Sequence, residues 1–212
     1  MTFILGLTGS IGTGKSTVSR ILGRLKFPIY DADKEVYGIY AHDSSFKEEF
    51  SKVYPHYMKG AEIDRQRVAQ EAFDHPQVIT WLEAHLHPRV RGKALSFIKT
   101  HQEKKTPLII LDIPLLFEKG YDVFCHGVLV TLCQPTLQQQ RVLERPGMTL
   151  EKFRRILSKQ SSQEEKKEKA TWVIDTDQSK LHLFKRIRTL MTKTCIQEEI
   201  LWELKNKKIP FF

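Results

Sequence analysis

The stretch that most restricts how this chain can fold is residues 3–17, FILGLTGSIGTGKST. A short apolar run leads into glycines, a lysine and two hydroxyl residues, and the VSRIL that follows has the apolar spacing of a helix. The sequence therefore predicts a β-strand, a glycine-rich loop and an α-helix, in that order. Such a unit is typical of α/β proteins built on a parallel sheet.

The loop matches the spacing G-x-x-x-x-G-K-[ST], with Gly9, Gly14, Lys15 and Ser16 at the fixed positions. Glycines let the backbone wrap round an anion, and the helix that follows directs its positive dipole end at the same point. We expect Lys15 to reach the β- and γ-phosphates of a nucleotide and Ser16 to hold Mg²⁺. An ordinary glycine-rich turn before a helix is the alternative. The residues expected round the phosphates are Gly12, Thr13, Gly14, Lys15, Ser16 and Thr17.

The composition of the chain restricts the kinds of ligand it can bind and the cellular compartment it suits. The 212 residues carry a formal net charge of +9, which favours either nucleic acid or small phosphorylated ligands. The chain has no run of 18 apolar residues, so we expect no membrane span. Its three cysteines include no C-x-x-C pair, which argues against a disulfide framework and a zinc site and favours a reducing, cytoplasmic location.

Acidic residues follow two further predicted strands. Asp31 and Asp33 come directly after a short strand at 26–30, and Asp112 ends the apolar run 108–111. Ligand-contacting residues lie past the carboxyl ends of strands in a parallel sheet. One of the first two aspartates could accept a proton from an attacking hydroxyl, or it could cap the next helix. Asp112 has the position of an acid that supports Mg²⁺.

Residues 34–92 have a helical pattern without a strong β run, which predicts an insert in the sheet. The cluster HPRVR at 87–91 precedes a predicted helix at 92–99, and its basic residues suit an anionic ligand. A polar loop is expected at 99–105. Within the insert, helices are predicted at 47–53, 64–73 and 78–87.

A polar stretch at 138–169 predicts a helical lid. Arg141 and Arg145 are four residues apart, so on one helix they share a face and could clamp a transferring phosphoryl group. A solvated basic helix is the alternative. The mixed-charge segment 164–169 is expected to be helix surface. The remaining elements expected are strands at 127–132 and 172–175, a helix at 181–204 and a tail at 205–212 that frays or docks through Phe211 and Phe212.

Missing motifs exclude several classes of phosphate-loop protein. The chain lacks the N-K-x-D and D-x-x-G signatures of GTPases and the L-S-G-G-Q run of transport ATPases. A small-molecule kinase fits better, because a lid can exclude water during phosphoryl transfer. The rivals are another nucleoside or nucleotide kinase, and a basic nucleic-acid-binding protein controlled by nucleotide.

The chain resembles the dephospho-CoA kinase family over roughly residues 3–190. Seven segments carry the resemblance, and the most distinctive is DIPLLFE, since a generic phosphate-loop kinase has no reason to contain it. They are LTGSIGTGKST at 7–17, DAD at 31–33, HPRVR at 87–91, DIPLLFE at 112–118, the set Gln138, Arg141 and Arg145, the segment 155–160, and VID at 173–175. Ser10, Pro146 and Thr176 stand where the family commonly has glycine, aspartate and asparagine, the last near the adenine end of the ATP site.

The resemblance implies a three-layer α/β P-loop NTPase of the nucleoside monophosphate kinase type. It would have a parallel-sheet core at 1–33, 93–137 and 170–200, an acceptor-binding insert at 34–92 and a lid at 138–169. The implied reaction is ATP- and Mg²⁺-dependent phosphorylation of the ribose 3′-hydroxyl of dephospho-CoA, by a monomer or weak homo-oligomer with no nucleic-acid partner. The implied catalytic residues are Asp33, as the base, and Lys15, Arg141 and Arg145. The residues implied to bind the acceptor are Thr8, Asp31, His87, Arg91, Leu115 and Glu118. The residues implied to bind the metal are Ser16 and Asp112.

Overall fold

The computed structural model describes residues 2–71 and 75–193. They form two compact units. The core unit comprises residues 2–30 and 100–193, and the helical unit comprises residues 31–71 and 75–99. The division of the chain into a core, an acceptor-binding insert and a lid remains a prediction about function.

Strands and helices alternate along the core unit, and helices dominate the helical unit. The strands are β1 (Phe3–Thr8), β2 (Ile29–Asp31), β3 (Met58–Lys59), β4 (Glu62–Ile63), β5 (Leu108–Asp112), β6 (Gly127–Leu132) and β7 (Trp172–Asp175). The helices are α1 (Lys15–Arg24), α2 (Ala32–His42), α3 (Ser44–Val53), α4 (Arg65–Glu71), α5 (Pro76–Glu103), α6 (Pro135–Leu143), α7 (Leu150–Leu157), α8 (Gln163–Glu168) and α9 (Lys180–Lys193). Short 3-10 helices lie at Pro55–Tyr57 and Asp122–Phe124.

The core unit is built on a five-stranded sheet in the order β2-β5-β1-β6-β7. β1 pairs in parallel with β5 on one side and β6 on the other, and β7 pairs in parallel with β6. Every residue of β5 is buried, as expected of a strand covered on both faces. The predicted α/β fold with a parallel sheet is confirmed. The second strand is Ile29–Asp31 and not 26–30, and Lys26 has a φ of 67°, which a strand does not allow.

Helices α1 and α9 cover the sheet with apolar side chains. Val18 and Leu22 of α1 are completely buried, and Ile187 of α9 is equally inaccessible. They belong to one cluster with Leu5 and Leu7 of β1. This cluster fixes the start of α1 directly after β1, which holds the glycine-rich loop between two rigid elements.

The helical unit differs from the predicted insert in two respects. A small antiparallel hairpin joins β3 and β4, and two-residue strands leave no alternating pattern by which the sequence could show them. Helix α5 is continuous to Glu103, so the helix start predicted at Gly92 is wrong and the loop predicted at 99–105 is wrong for residues 99–103. The cluster 87–91 therefore lies inside a helix.

Helix α5 passes through Pro88 although proline removes one helical hydrogen bond. A buried stripe repeats every four residues on both sides of the proline and holds the helix together. Its members are Val78, Leu82, Leu86, Val90, Ala94 and Ile98. Tertiary packing thus outweighs the local helix-breaking signal.

Several sequence predictions fall partly outside the described residues. The helix expected at 181–204 is described as far as Lys193, and Cys195, Phe211, Phe212 and the rest of the tail lie outside the described part, as do residues 72 and 73 of the helix expected at 64–73.

Cys125 and Cys133 are free thiols, and burial raises the pKa of Cys125 to about 12. Within residues 2–71 and 75–193, no helix has both the length and the apolar character needed to cross a membrane.

Candidate phosphate-transfer site

The glycine-rich loop lies between β1 and α1, as its spacing predicts. Gly12 and Gly14 have φ values of 83° and 85°, which only glycine adopts without strain. Gly14 is the N-cap of α1 and has no side chain to cap it. The first N–H groups of a helix lack intrahelical acceptors, so this loop and helix start offer donors and a positive dipole end to an anion.

Lys15 and Asp112 form an ion pair at the carboxyl end of the sheet. Lys15 Nζ donates to Asp112 Oδ1 over 2.6 Å, and the two side chains are 13% and 4% exposed. The parallel register places Leu7 of β1 opposite Asp112 of β5, which brings the acid beside the start of α1. Ser16 is exposed one residue further along. A paired cation and carboxylate thus lie at the loop, and an exposed hydroxyl follows them in the first turn of α1.

Thr8 and Leu115 belong to the contacts between β1 and the segment that follows β5. Thr8 is fully buried, and its Oγ1 donates to the carbonyl oxygen of Pro114 over 2.9 Å. Leu115 is half-buried. Thr8 therefore holds the segment after Asp112 in place, whereas the resemblance implies that it lines the acceptor site.

Glu118 binds helix α8 instead of pointing to solvent. Lys166 Nζ donates to Glu118 Oε1 over 2.6 Å, and Ser161 N donates to the same oxygen over 2.8 Å. The Lys166 side chain is 0% exposed. The prediction that 164–169 is only helix surface is therefore wrong for Lys166, because the Glu118 carboxylate compensates its buried charge.

We expect this ion pair to make the protein sensitive to acid. Burial by itself raises the pKa of Glu118, but hydrogen bonds from Lys166 and from two backbone N–H groups outweigh it and lower the pKa from its ordinary value of 4.5. A carboxyl with a lowered pKa adds stability above its unfolded pKa, and that stability is lost as the pH falls through the folded pKa.

The measurement is the free energy of unfolding as a function of pH for the wild type and Glu118→Gln. The advantage of the wild type should be full near neutral pH and should shrink below the ordinary glutamate pKa. Two curves that stay parallel down to strongly acidic pH would contradict the assigned contribution of Glu118.

Two glutamines fix the peptide groups of Ile11 in the loop. Gln160 Oε1 accepts from Ile11 N over 2.9 Å, and Gln138 Nε2 donates to Ile11 O over 2.7 Å. Gln163 Nε2 donates to Gln138 Oε1 over 3.0 Å. A Cβ at Gly12 would lie 2.6 Å from the Cγ2 of Val142 in α6, so the lid segment packs directly on the loop. Both ends of the predicted lid are therefore attached to the phosphate loop.

Arg141 lies at the loop, but Arg145 does not share a helix face with it. The Arg141 guanidinium donates to the hydroxyl and the carbonyl oxygen of Thr176. Helix α6 ends at Leu143, and Arg145 lies beyond that end with its side chain exposed. Pro146 directly follows Arg145, and the residue before a proline disfavours helical dihedrals. The shared-face argument is wrong, and the role of Arg145 remains a prediction from the resemblance.

The helical unit contains the other predicted site residues. Asp31 caps α2, since its Oδ1 accepts from Lys34 N over 3.1 Å, and Asp33 lies exposed in the first turn of the same helix. Asp31 thus takes the capping role that the sequence left open between the two aspartates. His87 is half-buried and Arg91 is exposed, both within α5.

Arg89 of the same cluster is part of the packing of the helical unit. Its Nη2 donates to Glu49 Oε1 over 2.7 Å, its Nε lies 3.4 Å from Asp43 Oδ2, and its guanidinium lies over the Phe46 ring. The ion pairs engage Arg89 with two carboxylates of its own unit.

Sequence reasoning missed several polar residues that shape the loop. Thr131 lies within the apolar run of β6, and its Oγ1 is 2.8 Å from Thr13 Oγ1. A hydroxyl within an otherwise apolar strand was the one sequence feature that could have indicated a role for Thr131. The other missed residues, which no local pattern distinguishes, are Gln163 and Lys166. Gln160 and Thr176 take part in the resemblance, but their hydrogen bonds to the loop were not predicted.

Comparison with known proteins identifies the family. A family model described as dephospho-CoA kinase matches residues 3–182. A curated dephospho-CoA kinase of Rhizobium meliloti (strain 1021) is 39% identical over 176 residues, which cover 83% of this chain and 90% of the relative. The residues matched by the family model include the strands of the main sheet, the phosphate loop and the lid segment.

Two solved structures have the same fold over nearly their whole length. A crystal structure of a Thermus thermophilus protein has a TM-score of 0.76 at 31% identity and covers 91% of this chain and 98% of that one. The dephospho-CoA kinase of Campylobacter jejuni has a TM-score of 0.69 at 26% identity, with 91% and 97% covered. With its phosphate loop, parallel sheet and Lys15–Asp112 pair, the chain belongs to the dephospho-CoA kinase family of P-loop kinases.

Proposed function

We propose that this kinase transfers the γ-phosphoryl group of ATP to the ribose 3′-hydroxyl of dephospho-CoA, which yields coenzyme A and ADP in the last step of coenzyme A synthesis. The observation that carries the proposal is a phosphate loop with a paired lysine and aspartate in a chain of this family. Transfer requires a nucleotide cradle, a base for the attacking hydroxyl and charge stabilisation on the phosphoryl group. The chain offers a residue for each.

The donor side is formed by the phosphate loop and α1. We assign the cradle to the backbone of Gly12, Thr13 and Gly14, and the contact with the β- and γ-phosphates to Lys15. Thr17, in the first turn of α1, would lie near the α-phosphate. Arg141 would add positive charge from the lid side, where its guanidinium already adjoins Thr176. Arg145 is assigned the same role from the family resemblance.

Mg²⁺ is the proposed cofactor. Ser16 and Asp112 would hold it, since a hydroxyl and a carboxylate are oxygen donors of the kind that this ion prefers, and one or two protein ligands suffice when phosphates supply the rest. When bound, the ion neutralises charge on the β- and γ-oxygens. Ser16 is exposed at the helix start, and the Asp112 carboxylate lies beside Lys15. This donor set fits the ion.

Asp33 is the proposed general base on the acceptor side. Its carboxylate is exposed in the first turn of α2, so it can take a proton from a substrate hydroxyl. Asp31, His87 and Arg91 are proposed acceptor contacts, and Leu115 a wall residue. Thr8 and Glu118 would act through the segment that they hold, because their polar atoms bind Pro114 and Lys166.

The lid at 138–169 would close over the nucleotide and exclude water. Gln138 and Gln160 are bound to Ile11, and Arg141 is bound to Thr176, so the segment between Arg141 and Gln160 would be the part that moves. Closure of this kind limits ATP hydrolysis without an acceptor. The free thiols Cys125 and Cys133 and the use of ATP suit a reducing, cytoplasmic setting, and we propose a monomer or weak homo-oligomer there.

The test is a panel of acceptors with ATP and Mg²⁺: dephospho-CoA, nucleoside monophosphates, nucleosides and shikimate-like small alcohols. The proposal predicts the highest kcat/KM with dephospho-CoA. A better acceptor elsewhere in the panel would contradict it in favour of another kinase. A polynucleotide titration covers the other rival, because binding with a steep salt dependence would indicate a nucleic-acid partner.

A further inference from the structure

Thr176 connects Arg141 to the phosphate loop. Both terminal nitrogens of the guanidinium bind this one residue. Nη1 donates to Thr176 Oγ1 over 2.9 Å, and Nη2 donates to Thr176 O over 2.8 Å. The same hydroxyl donates to Thr13 O over 2.9 Å. A hydroxyl can accept and donate at once, so one small side chain joins the lid arginine to the loop.

Thr176 is itself held rigidly. It follows the end of β7, its N–H donates to Leu132 O over 3.0 Å, and the residue is 3% exposed. It also packs on the N-cap of α1, since a Cβ at Gly14 would lie 2.8 Å from Thr176 Oγ1. The group that binds Arg141 therefore has no freedom to follow a moving side chain.

We propose that Thr176 is a positioning residue that holds the Arg141 guanidinium beside the phosphate loop for phosphoryl transfer. An arginine side chain loses considerable rotamer freedom when it is ordered at a site. A bidentate hydrogen bond to a fixed residue holds the guanidinium in one orientation, as bidentate arginine contacts generally do. The proposal rests on the proposed function in that Arg141 acts on ATP.

The test is a double-mutant cycle of Thr176→Val and Arg141→Ala, with kcat/KM for ATP as the readout. Valine keeps the shape of threonine but removes the hydroxyl, while the carbonyl bond to Nη2 remains. We expect Thr176→Val alone to lower kcat/KM about tenfold, because a hydrogen bond to a charged group is lost. Thr176→Ser keeps the hydroxyl and should restore kcat/KM to about half the wild-type value or more.

The Arg141→Ala background separates positioning from a purely structural effect. If Thr176 acts through Arg141, adding Thr176→Val there should lower kcat/KM by a much smaller factor than in the wild type, and the remaining loss is that of the bond from Thr176 Oγ1 to Thr13 O. An undiminished effect in that background, or a serine variant as impaired as valine, would overturn the proposal. Unfolding midpoints of all variants show whether a folded protein is being compared.

Failure of the proposed role of Thr176 can be distinguished from failure of the proposed function. If the wild type does not phosphorylate dephospho-CoA, the proposed function fails. The same cycle is then measured as ATP dissociation constants by calorimetry. Coupling between the two substitutions supports the assignment of Thr176, and strict additivity overturns it.

Discussion

Asp33→Asn is expected to lower kcat by about 10²- to 10⁴-fold while the affinity for ATP changes little. Asparagine has the shape of aspartate but cannot take up the proton of the attacking hydroxyl. Asp33 is exposed, and the cap of α2 is supplied by Asp31, so the fold should tolerate the change. The measurements are steady-state turnover with saturating substrates and ATP binding by calorimetry.

Glu35→Gln is the matched control, since Glu35 also lies in the first turn of α2 and pairs with Lys93 over 2.9 Å. It removes a carboxylate from the same helical turn and should leave kcat within about twofold, as loss of a surface ion pair generally has a small effect. Near-normal turnover of Asp33→Asn would contradict the assignment of the base. Equal losses in both variants would indicate a general electrostatic effect of this turn.

Lys166→Met should destabilise the folded protein by about 3–5 kcal/mol. Methionine can occupy the space of the lysine stem, but it leaves the Glu118 carboxylate, 14% exposed, without its ammonium partner. An uncompensated buried charge is costly, and the two backbone N–H groups that remain cannot replace the ion pair. Denaturant unfolding at neutral pH measures the loss.

Two further variants make this prediction specific. Lys167→Met changes the exposed neighbour on α8 and should shift stability by no more than about 0.5 kcal/mol. Glu118→Gln combined with Lys166→Met removes the uncompensated carboxylate charge and should recover part of the lost stability. Equal effects of Lys166→Met and Lys167→Met would show that the ion pair contributes nothing to stability.

The sequence predicted the sheet and the phosphate loop well because both depend on local patterns. The runs 108–111 and 127–132 are short and apolar, as buried strands are, and the β1 run followed by Gly14 and Lys15 indicates a strand, a loop and a helix. The contact between Lys15 and Asp112 then follows from the parallel pairing of β1 with β5, because Asp112 ends β5 and Lys15 begins the helix after β1.

Features that depend on tertiary packing could not be predicted in this way. Pro88 looks like a helix end, but a buried stripe that continues past it keeps α5 intact. Lys166 looks like surface in a mixed-charge segment, because nothing near it in sequence shows that Glu118 lies against it. The contact between Arg141 and Thr176 joins residues 35 apart in the chain.

The most direct test of the account is release of ADP from ATP and Mg²⁺ with and without dephospho-CoA, together with the mass of the acceptor product. We predict that ADP release rises strongly when dephospho-CoA is present and that the product gains one phosphate. Purified protein that binds ATP but shows neither the rise nor the added mass would contradict the proposed reaction.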